Sequence, residues 1–388
     1  MRTQSGQTAL NRPLKIGAKT AKNRFCIQPM ECCDSDGKGL FTGTAVKRYT
    51  DYMKGGAGIV VMESVTLQYE SRSTKNQLLL NPKDSENRRA WEKFMKEQKS
   101  QSPDTIFLVQ LNHAGEFASD TFSEKICVKP HPAFGGRRVD AAYVDHVIKQ
   151  YIEAARFLYQ IGCDGVDLKF CHGYLGSQIL RPYNDREWKY GGSWENRSRF
   201  AFSICEGIRR AVPDRHFLVG AKISVYEGIT GGQGHKGPAS DRIDVSESIA
   251  LCRGLEARGA DFFIESLGNA RLAWSLMAPG PDSRNLVYLH LAAAKLLKEN
   301  LKPETAVIGG GLSVLGRECF FSVINTAVEK GIFDAAALGR QALADPYLPQ
   351  KYLLETGEAI HWCRCCDLCG KLLAGQDKVK CVVYNNEQ

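Results

Sequence analysis

Eight short apolar runs, rich in β-branched and aromatic residues, alternate along this chain with longer stretches whose apolar residues recur every three or four positions. The runs fall at residues 24–28, 58–63, 105–111, 165–170, 217–224, 261–266, 305–309 and 335–338. Helical spacing is clear at 143–160, 193–211, 245–257 and 314–329. Strand then helix, repeated eight times with no evident mid-chain linker, is the sequence form of an α/β (β/α)8 TIM barrel. A doubly wound open sheet alternates in the same way and is the competing architecture. In a barrel, chemistry gathers at the C-terminal ends of the strands and in the loops that follow them. The irregular stretches at 114–139 and 229–241, with many Gly, Pro and polar residues, are therefore expected over the barrel mouth.

Composition narrows the partners. Lys and Arg number 51 against 43 Asp and Glu, a net charge of +8 that is scattered along the chain, so no nucleic-acid partner is expected. No apolar run approaches the roughly 20 residues of a membrane-spanning helix. Residues 1–25 are polar and basic without the apolar segment of a secretory signal, so the cytoplasm is the expected location. Of the 14 cysteines, nine are spread between Cys26 and Cys319 and five crowd between Cys363 and Cys381. A cluster of that kind in a protein without secretory features points to a metal or iron–sulfur site rather than to disulfides. The expected division is a barrel over residues 1–360 and a short cysteine-rich extension over 361–388.

Directly after the fourth run the sequence reads Gly173-Tyr174-Leu175, Gln178, Pro182, Asn184, Arg186 and then Tyr190-Gly-Gly-Ser-Trp-Glu-Asn-Arg197. Together with Lys22-Asn23-Arg24, Gln28-Pro29-Met30, Gln110-Leu-Asn-His-Ala-Gly115, Gly339-Arg340 and Asp345-Pro346, these segments resemble the old yellow enzyme family of FMN-dependent barrels (NADH:flavin oxidoreductases) across nearly the whole chain. The iron–sulfur branch, which includes 2,4-dienoyl-CoA reductase and trimethylamine dehydrogenase, is the nearer likeness.

Parts of an FMN site can be argued from chemistry alone. Gly309-Gly310-Gly311 follows the seventh strand and Gly339-Arg340 the eighth, where barrels hold phosphate with backbone N–H groups, and an Arg fork can grip its oxygens. The resemblance assigns Gln110 to the pyrimidine edge of the flavin. It places Lys222 where relatives carry an Arg near N1 and O2, a cation that stabilises charge developing at that edge. Pro29, Met30 and the backbone of Ser64 are expected to border the ring. On the substrate side the resemblance implies two donors three residues apart, here Lys169 and His172, with Tyr174 as general acid. Lys169 departs from the commoner His, and a solvent-facing lysine at a strand end is the alternative. A second acid, a His after strand six in the dienoyl-CoA reductase branch, is missing from Glu265-Ser-Leu-Gly-Asn-Ala-Arg271.

Cys363, Cys366 and Cys369 form a C-x2-C-x2-C run, followed by an eleven-residue gap to Cys381. Four thiolates, three of them on one tight loop, suit a [4Fe–4S] cluster; a zinc site has the same count, and Cys365 could replace Cys366. A flavin exchanges hydride while a cubane passes single electrons, so their pairing converts one currency into the other. No G-x-G-x-x-G follows a strand, and seven residues remain after Cys381. Electrons are therefore expected from a separate ferredoxin, flavodoxin or reductase subunit, unless NAD(P)H reduces the FMN directly. The leading expectation is an ene-reductase that saturates a C=C bond conjugated to a carbonyl, acid or thioester in a small molecule. Oxidative amine demethylation and a substrate-free electron-transfer subunit are the alternatives. The oligomeric state, a homo-oligomer included, stays open.

Overall fold

A computed structural model describes residues 8–384. Its centre is a closed barrel of eight parallel strands: β1 (Phe25–Ile27), β2 (Ile59–Thr66), β3 (Ile106–Asn112), β4 (Gly165–Phe170), β5 (Leu218–Ser224), β6 (Phe262–Ser266), β7 (Ala306–Gly309) and β8 (Ala335–Leu338). All eight expected runs form strands, and closure between β8 and β1 decides for the barrel over the open sheet. The major helices are α1 (Gly43–Lys54), α2 (Ser85–Gln101), α3 (Ala141–Gln160), α4 (Trp194–Ala211), α5 (Ser246–Ala257), α6 (Val287–Asn300) and α7 (Gly316–Glu329). Side-chain caps start several of them: Asp84 accepts from Asn87 N at 2.7 Å and Asp140 from Tyr143 N at 2.9 Å. Among the described residues no helix is long and apolar enough to cross a membrane.

Two local differences from the sequence pattern have physical causes. The stretch expected as a helix from residue 314 opens as a 3-10 turn, Leu312–Leu315, because Gly316 has φ +62° and resets the chain direction before α7. Strand β2 runs three residues past its expected end, with a register shift between Met62 and Ser64.

Strand alternation divides the barrel into layers. Residues one apart face opposite sides. Cys26, Ile106, Leu108, Leu218, Phe262 and Ile264 therefore fill the lower lumen, where a hairpin of Leu14–Ile16 with Lys19–Ala21 plugs the bottom. Gly220 lacks a side chain because a Cβ there would strike the Phe262 ring. Continuing each strand upward at the same period brings Gln28, Gln110, Asp167, Lys169, Lys222 and Ser266 inward as a polar upper layer.

The cysteine-rich segment does not hang free. Val379 N donates to Cys32 O at 2.8 Å, Cys363 N to Gln341 Oε1 at 2.9 Å, and Trp362 packs edge-on against Phe320 and Phe321. A short helix, Leu368–Ala374, lies within this segment, and Val379 shares a small apolar core with Cys32 and Leu343.

Candidate active site

A cavity of about 950 Å³, its open mouth included, lies over the polar layer at the C-terminal ends of the strands. Its walls take Pro29 and Met30 from the loop after β1, Lys169 from β4, His172 and Tyr174 from the turn after β4, and Lys222 from β5. Gly311, Ser313 and Arg340 line it after β7 and β8, and Cys369, Gly370, Leu373 and Val379 of the C-terminal segment close it.

The floor is a hydrogen-bonded polar sheet surface. Lys222 Nζ donates to Gln28 Oε1 at 2.8 Å, and Gln110 Nε2 to Asp167 Oδ2 at 2.6 Å. Burial pushes the Asp167 carboxyl up to about 6 against the pull of Gln110, Lys222 and Lys169.

His172 and Gly173 turn the chain sharply, with φ of +62° and +92°. A non-glycine in this region is held by its surroundings. His172 N donates to Ser224 Oγ at 3.0 Å, Ala270 N donates to His172 O at 3.0 Å, and a Cβ on Gly173 would strike Asn269 and Phe117. The His172 ring meets Ser266 Oγ at 2.6 Å through Nε2. Burial, with Lys222 and Lys169 nearby, holds His172 well below the ordinary histidine range, so it is neutral at neutral pH. Burial pushes the Tyr174 phenol well above its usual value, so it keeps its proton. The Lys169 ammonium stands over the Tyr174 ring, 3.5 Å from its centroid.

At the other end of the cavity, Gly311 has φ +70°, and a Cβ there would run into the His290 ring. That ring is fixed through Nδ1 to Glu265 Oε1 at 2.9 Å and through Nε2 to Leu276 O at 2.8 Å, while Gly310 N donates to Glu265 Oε2 at 3.0 Å. The backbone after β7 is thereby pinned in place beside Arg340. Arg340 Nη2 donates to Pro279 O at 2.6 Å, whereas its buried Nη1 has no hydrogen-bond partner and lies 3.5 Å from Asp367 of the C-terminal segment.

Of the residues singled out from sequence, Pro29, Met30, Lys169, His172, Tyr174, Lys222, Gly311 and Arg340 thus share one cavity. Gln110, Gly310 and Gly339 lie behind its wall, Gly339 so tightly that a Cβ would strike Gln28. Ser64 is farther back, its carbonyl and hydroxyl both engaged by Gln77 Nε2 at 2.8 and 3.1 Å. Cys363, Cys369 and Cys381 are half-buried, Cys366 is exposed, and Cys365, the alternative to Cys366, is turned inward by φ +50° so that its N–H meets Cys363 Sγ at 3.4 Å.

The sequence reading missed Glu31 and Ser266. Glu31 lines the cavity with its carboxylate held by Ser73 Oγ at 2.8 Å and Thr74 Oγ1 at 2.7 Å. Its place just past Pro29-Met30 at a strand end was the available signal. Ser266 could have been found by carrying the inward period of β6 one step upward.

A protein-family model described as the NADH:flavin oxidoreductase / NADH oxidase family matches residues 9–252. The chain is 26% identical over 364 residues to the NADH oxidase of Thermoanaerobacter brockii, covering 91% of this chain and 52% of that protein. It is 27% identical over 373 residues to the cinnamate reductase of Clostridium sporogenes, covering 91% and 54%. It therefore spans about half the length of these curated relatives. Among solved structures, a 2-naphthoyl-CoA reductase complex with 2-naphthoyl-CoA superposes with a TM-score of 0.82 at 22% identity, over 97% of this chain and 56% of the other. Histamine dehydrogenase from Rhizobium sp. 4-9 gives 0.77 at 22% identity, over 96% and 52%.

Proposed function

This chain belongs to the NADH:flavin oxidoreductase / NADH oxidase family, and we propose that it is an ene-reductase that saturates a C=C bond conjugated to a carbonyl, acid or thioester. The observation that carries this reading is the convergence of Lys169, His172 and Tyr174 in one cavity with Lys222, Gly311 and Arg340.

FMN fits the residues present. Arg340 Nη1, buried without a hydrogen-bond partner and 3.5 Å from Asp367, and the backbone at Gly311, which lines the same end of the cavity, suit a phosphate. Lys222, buried in the floor, supplies a cation for the flavin ring, and Met30 an apolar wall. When bound, the flavin supplies hydride exchange. His172 and Lys169 hold and polarise the acceptor oxygen of the substrate, and charge developing there is stabilised most in a site that excludes water. Tyr174, kept protonated by burial, delivers a proton from Oη to the carbon beside the activating group.

A [4Fe–4S] cluster is proposed at Cys363, Cys366, Cys369 and Cys381. Among the described residues no three His, Cys, Asp or Glu side chains converge as ligands of a single ion, but the thiolates of a cubane bind four separate irons and stand farther apart. The thiols are electrostatic neighbours: Cys363 acts on Cys369, and Cys363 and Cys366 act on Cys381. Such a cluster would connect the cavity to an electron donor, either a protein such as a ferredoxin, flavodoxin or reductase subunit, or NAD(P)H through the flavin itself. We assign residues 361–388 to this extension and 1–360 to the flavin barrel.

Anaerobic stopped-flow measurements with a panel of enones, enoates, enoyl thioesters and methylated amines test the reading. Reoxidation of the reduced flavin by an activated alkene is the expected result. Reduction of oxidised flavin by an amine, with no alkene reacting, would replace it by amine oxidation. Iron and acid-labile sulfide, about four each per chain, are expected on metal analysis, and Cys381→Ser should lose both while retaining flavin. One zinc without sulfide would remove the cluster from the proposal.

A further inference from the structure

We propose that the substrate carries a free carboxylate as the group that activates its double bond, and that Lys169 is the residue that selects it. This narrows the ene-reductase reading and rests on it. Lys169 is only 6% exposed and lines the cavity. Among the described residues its ammonium has no carboxylate at ion-pair distance and no hydrogen-bond acceptor, only the face of the Tyr174 ring at 3.5 Å. Its charged surroundings are Glu31 and Asp167 on the negative side and Lys222 on the positive. Neither carboxylate comes within ion-pair distance of it: Glu31 is held by Ser73 and Thr74, and Asp167 accepts from Gln110 through Oδ2.

A buried charge without a partner costs free energy that an opposite charge brought by a ligand can offset. A neutral carbonyl requires only a donor, which His172 or Ser266 already offers in the same wall. The reaction adds a further reason. Hydride, two electrons and a proton taken from the reduced flavin, bonds to the β-carbon, and the alkene π pair moves onto the α-carbon and carboxyl oxygens. A second negative charge then accumulates on an acid that already has one, until Tyr174 Oη protonates the α-carbon and solvent restores the phenol. An ammonium at those oxygens is worth more in that transition state than in the ground state.

The test compares 2-hexenoate with its isosteric neutral amide, 2-hexenamide, by calorimetry on the oxidised FMN-loaded protein, where no turnover occurs. The acid should bind roughly 10- to 100-fold tighter than the amide, the range of one charge-assisted contact. Lys169→Gln should reduce that preference to near unity, and Lys169→Arg should keep most of it. Equal binding of the two ligands by the wild type, or a preference that survives Lys169→Gln, overturns the assignment; the wild-type comparison suffices if the variants do not fold. Reoxidation of the reduced enzyme by 2-hexenal but not by 2-hexenoate also overturns it while leaving the ene-reductase reading intact. Reoxidation by neither, with the binding preference present, sinks the ene-reductase reading instead.

Discussion

Gly311→Ala, compared with Gly331→Ala, isolates the packing of the proposed phosphate cradle from the backbone cost of a left-handed residue. The two glycines have nearly the same φ, +70° and +64°. A non-glycine there costs ~1–2 kcal/mol. Their surroundings differ: nothing lies within 4 Å of a Cβ built on Gly331, whereas on Gly311 it would be 2.7 Å from His290 Nε2 and closer still to Cδ2 and Cγ. His290 cannot step aside cheaply, because it is buried and both ring nitrogens are bonded, to Glu265 and to Leu276 O. Forced overpacking of that kind costs ~1–3 kcal/mol. The expected loss of stability is therefore roughly 2–5 kcal/mol for Gly311→Ala against ~1–2 kcal/mol for Gly331→Ala. Urea unfolding of the flavin-free proteins measures both without a contribution from bound ligand. Displacing His290 also disturbs the Glu265 carboxylate that accepts from Gly310 N, so flavin affinity should fall in the first variant only. If the two variants unfold within about 0.5 kcal/mol of one another, the limit within which independent effects add, the cradle is not braced by His290.

Arg340→Ala should weaken flavin binding by about 1.5–3 kcal/mol, the range of a charged hydrogen bond; unchanged retention on dialysis would remove Arg340 from the phosphate site. Tyr174→Phe should leave ligand binding and flavin reduction unaltered and slow reoxidation by an activated alkene by ~100- to 10,000-fold, whereas a wild-type rate would mean that solvent or another acid supplies the proton. Asp167, whose pKa in the folded protein is about 6, binds more proton folded than unfolded in the window between its ordinary carboxylate pKa and about 6. Its contribution is thus fully present at lower pH and is lost as pH rises through about 6, on the order of 3 kcal/mol in all. Asp167→Asn should flatten that slope in the unfolding free energy of the flavin-free protein, and an unchanged slope would exclude Asp167 as its source.

The barrel was legible because it is specified by period. Its strands are apolar runs buried on both faces, and the two-residue pleat of β3, β5 and β6 decides which side chains fill the lumen and carries Gln110 and Lys222 to the polar floor. What could not be read depends on contacts between distant segments. Glu31 acquires its setting from Ser73 and Thr74, more than 40 residues away. The spacing of Cys363, Cys366, Cys369 and Cys381 suggests a ligand set but carries no information that Cys369, Gly370, Leu373 and Val379 close the cavity. That arrangement follows from Trp362 docking on α7 and Val379 on Cys32, pairings of apolar surface that have no period.

The upper layer is also where this fold departs from what stability alone would select. Lys169 and Lys222 are register partners on adjacent strands β4 and β5, both buried, and like charges so placed repel. Asp167, two residues below Lys169 on the same inward face, answers only part of that repulsion and is itself pushed toward its neutral form by burial. Divergence of the two side chains relieves the rest, since Lys222 reaches across to Gln28 of the β1 edge while Lys169 turns to Tyr174 beyond β4. Each ammonium consequently faces a different part of the cavity. A barrel selected only to fold would place apolar residues at both positions; two buried ammoniums, kept apart and aimed into one space, are what the proposed site needs, one for charge developing on the flavin edge and one for charge developing on the substrate.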